Sequence, residues 1–252
     1  MASVAFLTDD NEGSALQSSG FLCEEDARLG TLVSMKGKGL PLLSKDGLEF
    51  LRINILNNER VQSVLLSFFP RCGLGRFQRF HSDPGHIFQF RRGGEESGPH
   101  VLAVMLWEPG SRCVYYDGSH RKALPGVTAS NGLWEVPFAA LVHAGCSEGS
   151  KLTFEHGGLS IHDGRLSFEI KEGAPIAAIF ATPEVLVKWS KMVLPNTPEM
   201  VDKVAELSRE NQRVVLHMRF DTTGTSDQSS LVMKSDVESL HATSRGSTQG
   251  PS

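Results

Sequence analysis

The chain has 252 residues, of which 40% are hydrophobic and 21% charged, a globular balance that suits one domain of ordinary size with a single core. A formal net charge of −4 supplies no broad cationic field, so neither nucleic acid nor an anionic membrane is an expected partner. No apolar run reaches bilayer-spanning length, and the opening Met1-Ala2-Ser3-Val4 lacks a secretory signal's basic region, so a soluble, cytoplasmic protein is expected.

Residues 1–20 are rich in Ser, Gly and Asp, and residues 222–252 in Ser, Thr and Gly. Both ends are expected to be disordered, leaving one domain over residues 21–221 without internal repeats. Cys23, Cys72, Cys113 and Cys146 are scattered, with no Cys-x-x-Cys pair, and are expected to be reduced and mostly buried. Between residues 44 and 69, Leu48, Phe50, Leu51, Ile53, Ile55 and Leu56 fit both helix and strand periods, with helix preferred before Asn58.

From Arg76 the chain reads as short strands separated by turn chemistry: Arg76 to His81, His86 to Arg91, Val101 to Trp107 and Cys113 to Tyr116. Lys151 to Phe154, Leu159 to His162, Arg165 to Ile170, Ile176 to Ala181 and Val214 to Phe220 continue the series. About nine strands at this spacing predict a mainly β barrel or double sheet. Two late helices each open on Thr-Pro-Glu, at Thr182-Pro183-Glu184 and Thr197-Pro198-Glu199. That pattern places a capping hydroxyl, a proline at the first helical position and an acid in the first turn. The second carries one apolar stripe, Met200, Val204 and Leu207, and is expected to lie on the sheet surface.

The sharpest local feature is His81-Ser82-Asp83, followed by Pro84-Gly85. An imidazole and a carboxylate two residues apart on extended chain face the same way and can reach one cation. They form the first half of a two-His, one-carboxylate iron triad. The same residues also suit a solvated turn in which the aspartate accepts backbone amides.

The stretch Val101 to His120, with its apolar strand, Pro109-Gly110 turn, second strand and terminal Gly118-Ser119-His120, resembles the phytanoyl-CoA dioxygenase-like family of Fe(II)/2-oxoglutarate oxygenases. Gly157 to Leu166, with Asp163-Gly164-Arg165 at its centre, is similar to that family's later motif, so the resemblance spans roughly Phe77 to Ala181. It implies a double-stranded β-helix (jelly-roll or cupin-like) with a few peripheral helices. It also implies Fe(II) and 2-oxoglutarate as cofactors, a small organic molecule as substrate, and His81 and Asp83 as iron ligands.

The departure from the family pattern is as informative. Aligned on Asp163-Gly164-Arg165, the distal ligand position falls at Phe168, which cannot bind metal, and no arginine occurs between Lys171 and Thr182 to hold 2-oxoglutarate. Either His162 serves as third metal ligand or the fold has lost its metal. In an unbroken strand His162 and Phe168 are roughly 20 Å apart, at about 3.3 Å per residue, whereas a turn at Asp163-Gly164 brings them opposite one another. His86 is a reserve candidate, and His120, like His143, His156 and His217, suits a structural role. Arg165, Arg213 and Arg219 are candidate carboxylate anchors or rim residues. Trp107, Tyr115, Tyr116 and Trp134 suit a pocket wall or simple packing.

Two functions follow. The first is a non-haem Fe(II)-dependent oxygenase with His81, Asp83 and His162 as metal ligands. The second is a metal-free β-helix protein, an isomerase, cyclase or ligand-binding module, in which His81 and Asp83 form the acid–base pair. A non-enzymatic interaction protein is the third reading.

Overall fold

The computed structural model describes residues 12–37 and 39–222. Its N-terminal part is helical: α1 (Glu12–Ser18), α2 (Ala27–Gly37), α3 (Lys45–Leu51) and α4 (Glu59–Phe68). A π-helical turn, Arg52–Leu56, joins the last two. Side chains that accept from exposed helix-end amides set the starts: Asp26 Oδ1 takes Leu29 N–H at 2.9 Å, Ser44 Oγ takes Gly47 N–H at 3.2 Å and Asn58 Oδ1 takes Val61 N–H at 3.1 Å. The ambiguous stretch 44–69 is thus helical well beyond Asn58. Leu48, Leu51, Ile55, Val61 and Val64 recur at helical spacing and are all buried.

The remainder is mostly β. In chain order the strands are β1 (Phe21–Glu25), β2 (Cys72–Arg79), β3 (Phe88–Gln89), β4 (Val101–Trp107), β5 (Ser111–Tyr116), β6 (Val127–Thr128) and β7 (Trp134–Glu135). They continue with β8 (Ser150–Phe154), β9 (Gly158–Asp163), β10 (Ser167–Glu172), β11 (Ile176–Ala181), β12 (Met192–Leu194), β13 (Val214–Leu216) and β14 (Met218–Phe220). Helix α5 (Phe138–His143) precedes β8, while α6 (Pro183–Leu186) and α7 (Pro198–Glu210) follow β11.

Two six-stranded sheets result, in the orders β1-β9-β4-β11-β2-β13 and β6-β7-β3-β10-β5-β8. Pairing is antiparallel except for β13 on β2, and β12 with β14 makes a small parallel ribbon. The two sheets face each other across a core that includes Ala103, Met105, Trp107, Tyr115, Phe168 and Ile179. The first sheet's other face packs on the helices through Leu102, Val104, Leu106, Ile161 and Phe180. Burial on both faces is the physical reason β4 and β11 are continuous apolar runs.

Both Thr-Pro-Glu motifs open helices. Only Thr197 caps through its side chain, accepting Met200 N–H at 3.4 Å, whereas α6 is a single turn. Helix α7 packs Met200 and Leu207 into the helical layer, and Lys203 pairs with Glu49 and Glu206. Thr197→Ala is expected to cost about 1 kcal/mol in equilibrium urea unfolding, since a helix-end amide loses its acceptor. Thr182→Ala is expected to cost less.

Two expectations need correction. Within the N-terminal segment read as disordered, residues 12–18 form α1 and Leu16 is 1% exposed; residues 1–11 and 223–252 lie outside the described residues. The stretch Val214 to Phe220, read as one strand, is two strands with different partners, broken at His217, whose N–H bonds Leu74 O. All four cysteines are free, and Cys72, Cys113 and Cys146 are buried. Among the described residues no helix is long and apolar enough to cross a membrane.

Candidate functional site

The chain leaves β2 through Phe80 and runs His81-Ser82-Asp83 as an exposed loop rather than a strand end. Backbone bonds pin that loop to the mouth between the sheets. Phe80 N–H donates to Pro175 O at 2.9 Å and Asp83 N–H to Ile170 O at 3.0 Å. The buried Glu169 carboxylate accepts Gly85 N–H at 2.6 Å, and it also accepts from Lys171 Nζ and the Tyr116 hydroxyl.

A cavity of about 480 Å³ opens there, with His81, Asp83, Gln78, Asn131, Phe88 and Phe168 on its walls. His81 and Asp83 therefore share one cavity, but among the described residues no hydrogen bond or ion pair joins them. Asp83 lies 3.9 Å from His86 Nε2. His86, the reserve candidate, is exposed and bonds Glu135 Oε1 through Nδ1 at 2.6 Å. That hydrogen bond, with Asp83 nearby, raises its pKa above the usual histidine value.

His162 is elsewhere. Gly164 and Arg165 form the turn between β9 and β10, and this turn sets the His162 and Phe168 rings 5.2 Å apart. The imidazole is fully buried against Phe90, Tyr115 and Phe168, and neither of its nitrogens has a hydrogen-bond partner. Burial lowers its pKa to about 3. Phe168 lines the cavity and His162 does not.

The structure does not bring His162 to His81 and Asp83, and among the described residues no three His, Cys, Asp or Glu side chains converge to hold a metal ion. Two donors on an exposed loop do not make a three-ligand iron site. The arginines proposed as carboxylate anchors are also placed elsewhere. Arg165 is taken up by Asp163, with Nε and Nη2 at 2.9 and 2.8 Å from its two oxygens. Arg213 lines a separate groove beside Phe69, and Arg219 is exposed. Arg79 does line the cavity, and its Nη1 donates to Ala174 O at 2.9 Å in the turn between β10 and β11.

His120 has the structural role expected, its Nε2 lying 3.2 Å from Gln17 O. Trp107 and Tyr115 are core residues that converge on one hydroxyl: Trp107 Nε1 donates to Ser160 Oγ at 2.7 Å and Tyr115 Oη lies 2.8 Å from it. Sequence reasoning missed Gln78 and Asn131. Gln78 could have been found from the alternation of β2, in which Arg76 and Gln78 face the inter-sheet side opposite Ile179 and Ala177.

No family profile matches the sequence, and no curated protein is similar to it at a significant level. Among solved structures, the epimerase SnoN, in complex with Fe3+, alpha ketoglutarate and nogalamycin RO, is 9% identical with a TM-score of 0.51, covering 69% of this chain and 83% of that one. HygX from Streptomyces hygroscopicus, with nickel and 2-oxoglutarate bound, is 17% identical with a TM-score of 0.44, covering 71% and 88%. EctD from S. alaskensis, in its apo form, is 12% identical with a TM-score of 0.45, covering 72% and 82%. The likeness to SnoN is one of fold.

Proposed function

We propose that this chain is a double-stranded β-helix protein that binds a small organic molecule in the His81 and Asp83 cavity and acts on it by metal-independent acid–base chemistry. The strand path supports the fold: β2, β4, β9 and β11 lie in one sheet and β3, β5, β8 and β10 in the other, so the chain repeatedly crosses between them as a jelly roll does. One observation carries the function. The cavity wall presents an imidazole and a carboxylate beside Phe168, and among the described residues no three His, Cys, Asp or Glu side chains form a metal-holding group.

Histidine exchanges protons near neutral pH, and an adjoining carboxylate and two amides, Gln78 and Asn131, orient a bound molecule. Isomerisation or cyclisation requires only such proton transfers. The second reading is a Fe(II)- and 2-oxoglutarate-dependent oxygenase of the phytanoyl-CoA dioxygenase-like kind, favoured by His81 and Asp83 reaching one cavity. Anaerobic loading with Fe(II), followed by dialysis and metal analysis, separates the two. Wild type and His81→Ala are expected to retain the same small, substoichiometric iron content. Stoichiometric iron that disappears in His81→Ala would establish the oxygenase reading instead.

A further inference from the structure

A second cavity of about 330 Å³ adjoins the first and shares Gln78 and Asn131 with it. Its other walls include Arg76, Lys188, Trp189 and Phe90. The two differ in charge. Asp83 and Arg79 line the first, a carboxylate beside a cation, whereas both charged residues of the second are cations and no carboxylate lines it.

Arg76 is held in place without being neutralised. Its guanidinium carbon lies 5.9 Å from the Trp189 ring centroid, and Nη1 is 3.4 Å from Ser190 O. The Trp189 ring approaches β2 so closely that a Cβ at Gly75 would come within 2.5 Å of it, so glycine at that position seats the ring. Its backbone oxygen lies 2.9 Å from His217 Nε2. Among the described residues, neither Arg76 nor Lys188 takes part in an ion pair. Arg76 and the exposed Lys188 line one polar cavity that holds no counter-charge, and an anion entering between them gains from both cations.

We infer that the molecule bound here is an organic anion whose acidic group sits against Arg76 and Lys188 while its apolar body extends past Gln78 and Asn131 to His81 and Asp83. This rests on the reading of the His81 cavity as a binding site. The charged end is anchored at one lobe, and the reacting carbon is presented to the imidazole and carboxylate at the other.

The test is titration calorimetry with a matched pair of probes, 4-phenylbutyrate and its neutral amide. Wild type is expected to bind the carboxylate about tenfold more tightly or better, as for a hydrogen-bonded charge pair. Arg76→Gln with Lys188→Gln is expected to reduce that preference to near unity, and Arg76→Lys to keep part of it. Equal binding of acid and amide by wild type, or a preference that survives the double substitution, would overturn the inference while leaving the cavity reading in place. If neither probe binds, both fail. Thermal melts of each variant, compared with wild type, separate lost recognition from lost folding.

Discussion

Asp163→Ala is expected to destabilise the fold by about 3–5 kcal/mol, the cost of leaving a buried guanidinium without its carboxylate. Asp163 ends β9, and its carboxylate accepts Arg165 N–H, Nε–H and Nη2–H, with side chains only 3% and 9% exposed. A second guanidinium depends on the same acid. Burial and the nearby Arg165 press the pKa of Arg91 downward, Asp163 opposes them, and Arg91 Nη1 is buried without a partner. Removing Asp163 leaves the two cations facing each other. In thermal melts a chain of this size should lose on the order of 10 °C. Asp163→Ala with Arg165→Met should recover a large part, because an apolar replacement of a whole buried pair is often neutral. A single substitution costing under about 1 kcal/mol would show that water reaches these charges.

The same turn bears on the site, because it carries the chain from one sheet to the other. Gln89 Nε2 donates to Arg165 O at 2.6 Å and to Ser167 Oγ at 3.0 Å, and Ser119 Oγ accepts Ser167 N–H at 2.9 Å. These bonds fix the start of β10 and so the place of Phe168 in the cavity wall.

Elements with two buried faces were the most legible. Val101–Trp107 and Ile176–Ala181 are read from their apolar runs to the residue, because their surroundings demand apolar side chains at every position. Strand β1 was missed because Phe21-Leu22-Cys23-Glu24-Glu25 has no clear alternation and owes its strand state to pairing with β9. Tertiary pairing there outweighs local pattern. At the site, Phe168 was legible as the missing donor because it is a matter of residue type. The convergence of Gln78, Asn131, Arg76 and Lys188 was not, since it joins β2, the loop before β7 and the segment after α6 across long sequence separations. No short motif encodes such a cluster.

The pH dependence of stability should trace to His162. Its pKa is about 3 in the folded protein, lowered by burial from an ordinary 6.5, so below pH 6.5 the unfolded chain takes up a proton that the native imidazole does not. Stability therefore falls as the pH drops from 6.5 towards 3, by about 2 kcal/mol at pH 5 and on the order of 5 kcal/mol at most. Phe90, Tyr115 and Phe168 surround the ring, and the Tyr115 hydroxyl is engaged with Ser160, so no neighbouring charge supports protonation. His86 acts in the opposite sense: its raised pKa adds stability below the unfolded value, which is lost as the pH rises through the folded one. Burial also lowers the His120 pKa, adding acid sensitivity of the same sign as His162. His162→Leu leaves both in place, so the difference between variant and wild type isolates the buried imidazole. Near pH 7.5 the variant should be about as stable as wild type, since leucine removes two unpaired nitrogens along with some packing. By pH 5 urea unfolding should show it gaining about 2 kcal/mol relative to wild type. Parallel pH profiles for the two proteins would mean that a hydrogen-bond acceptor, such as water, reaches the imidazole in solution, and the dry aromatic pocket would have to be abandoned.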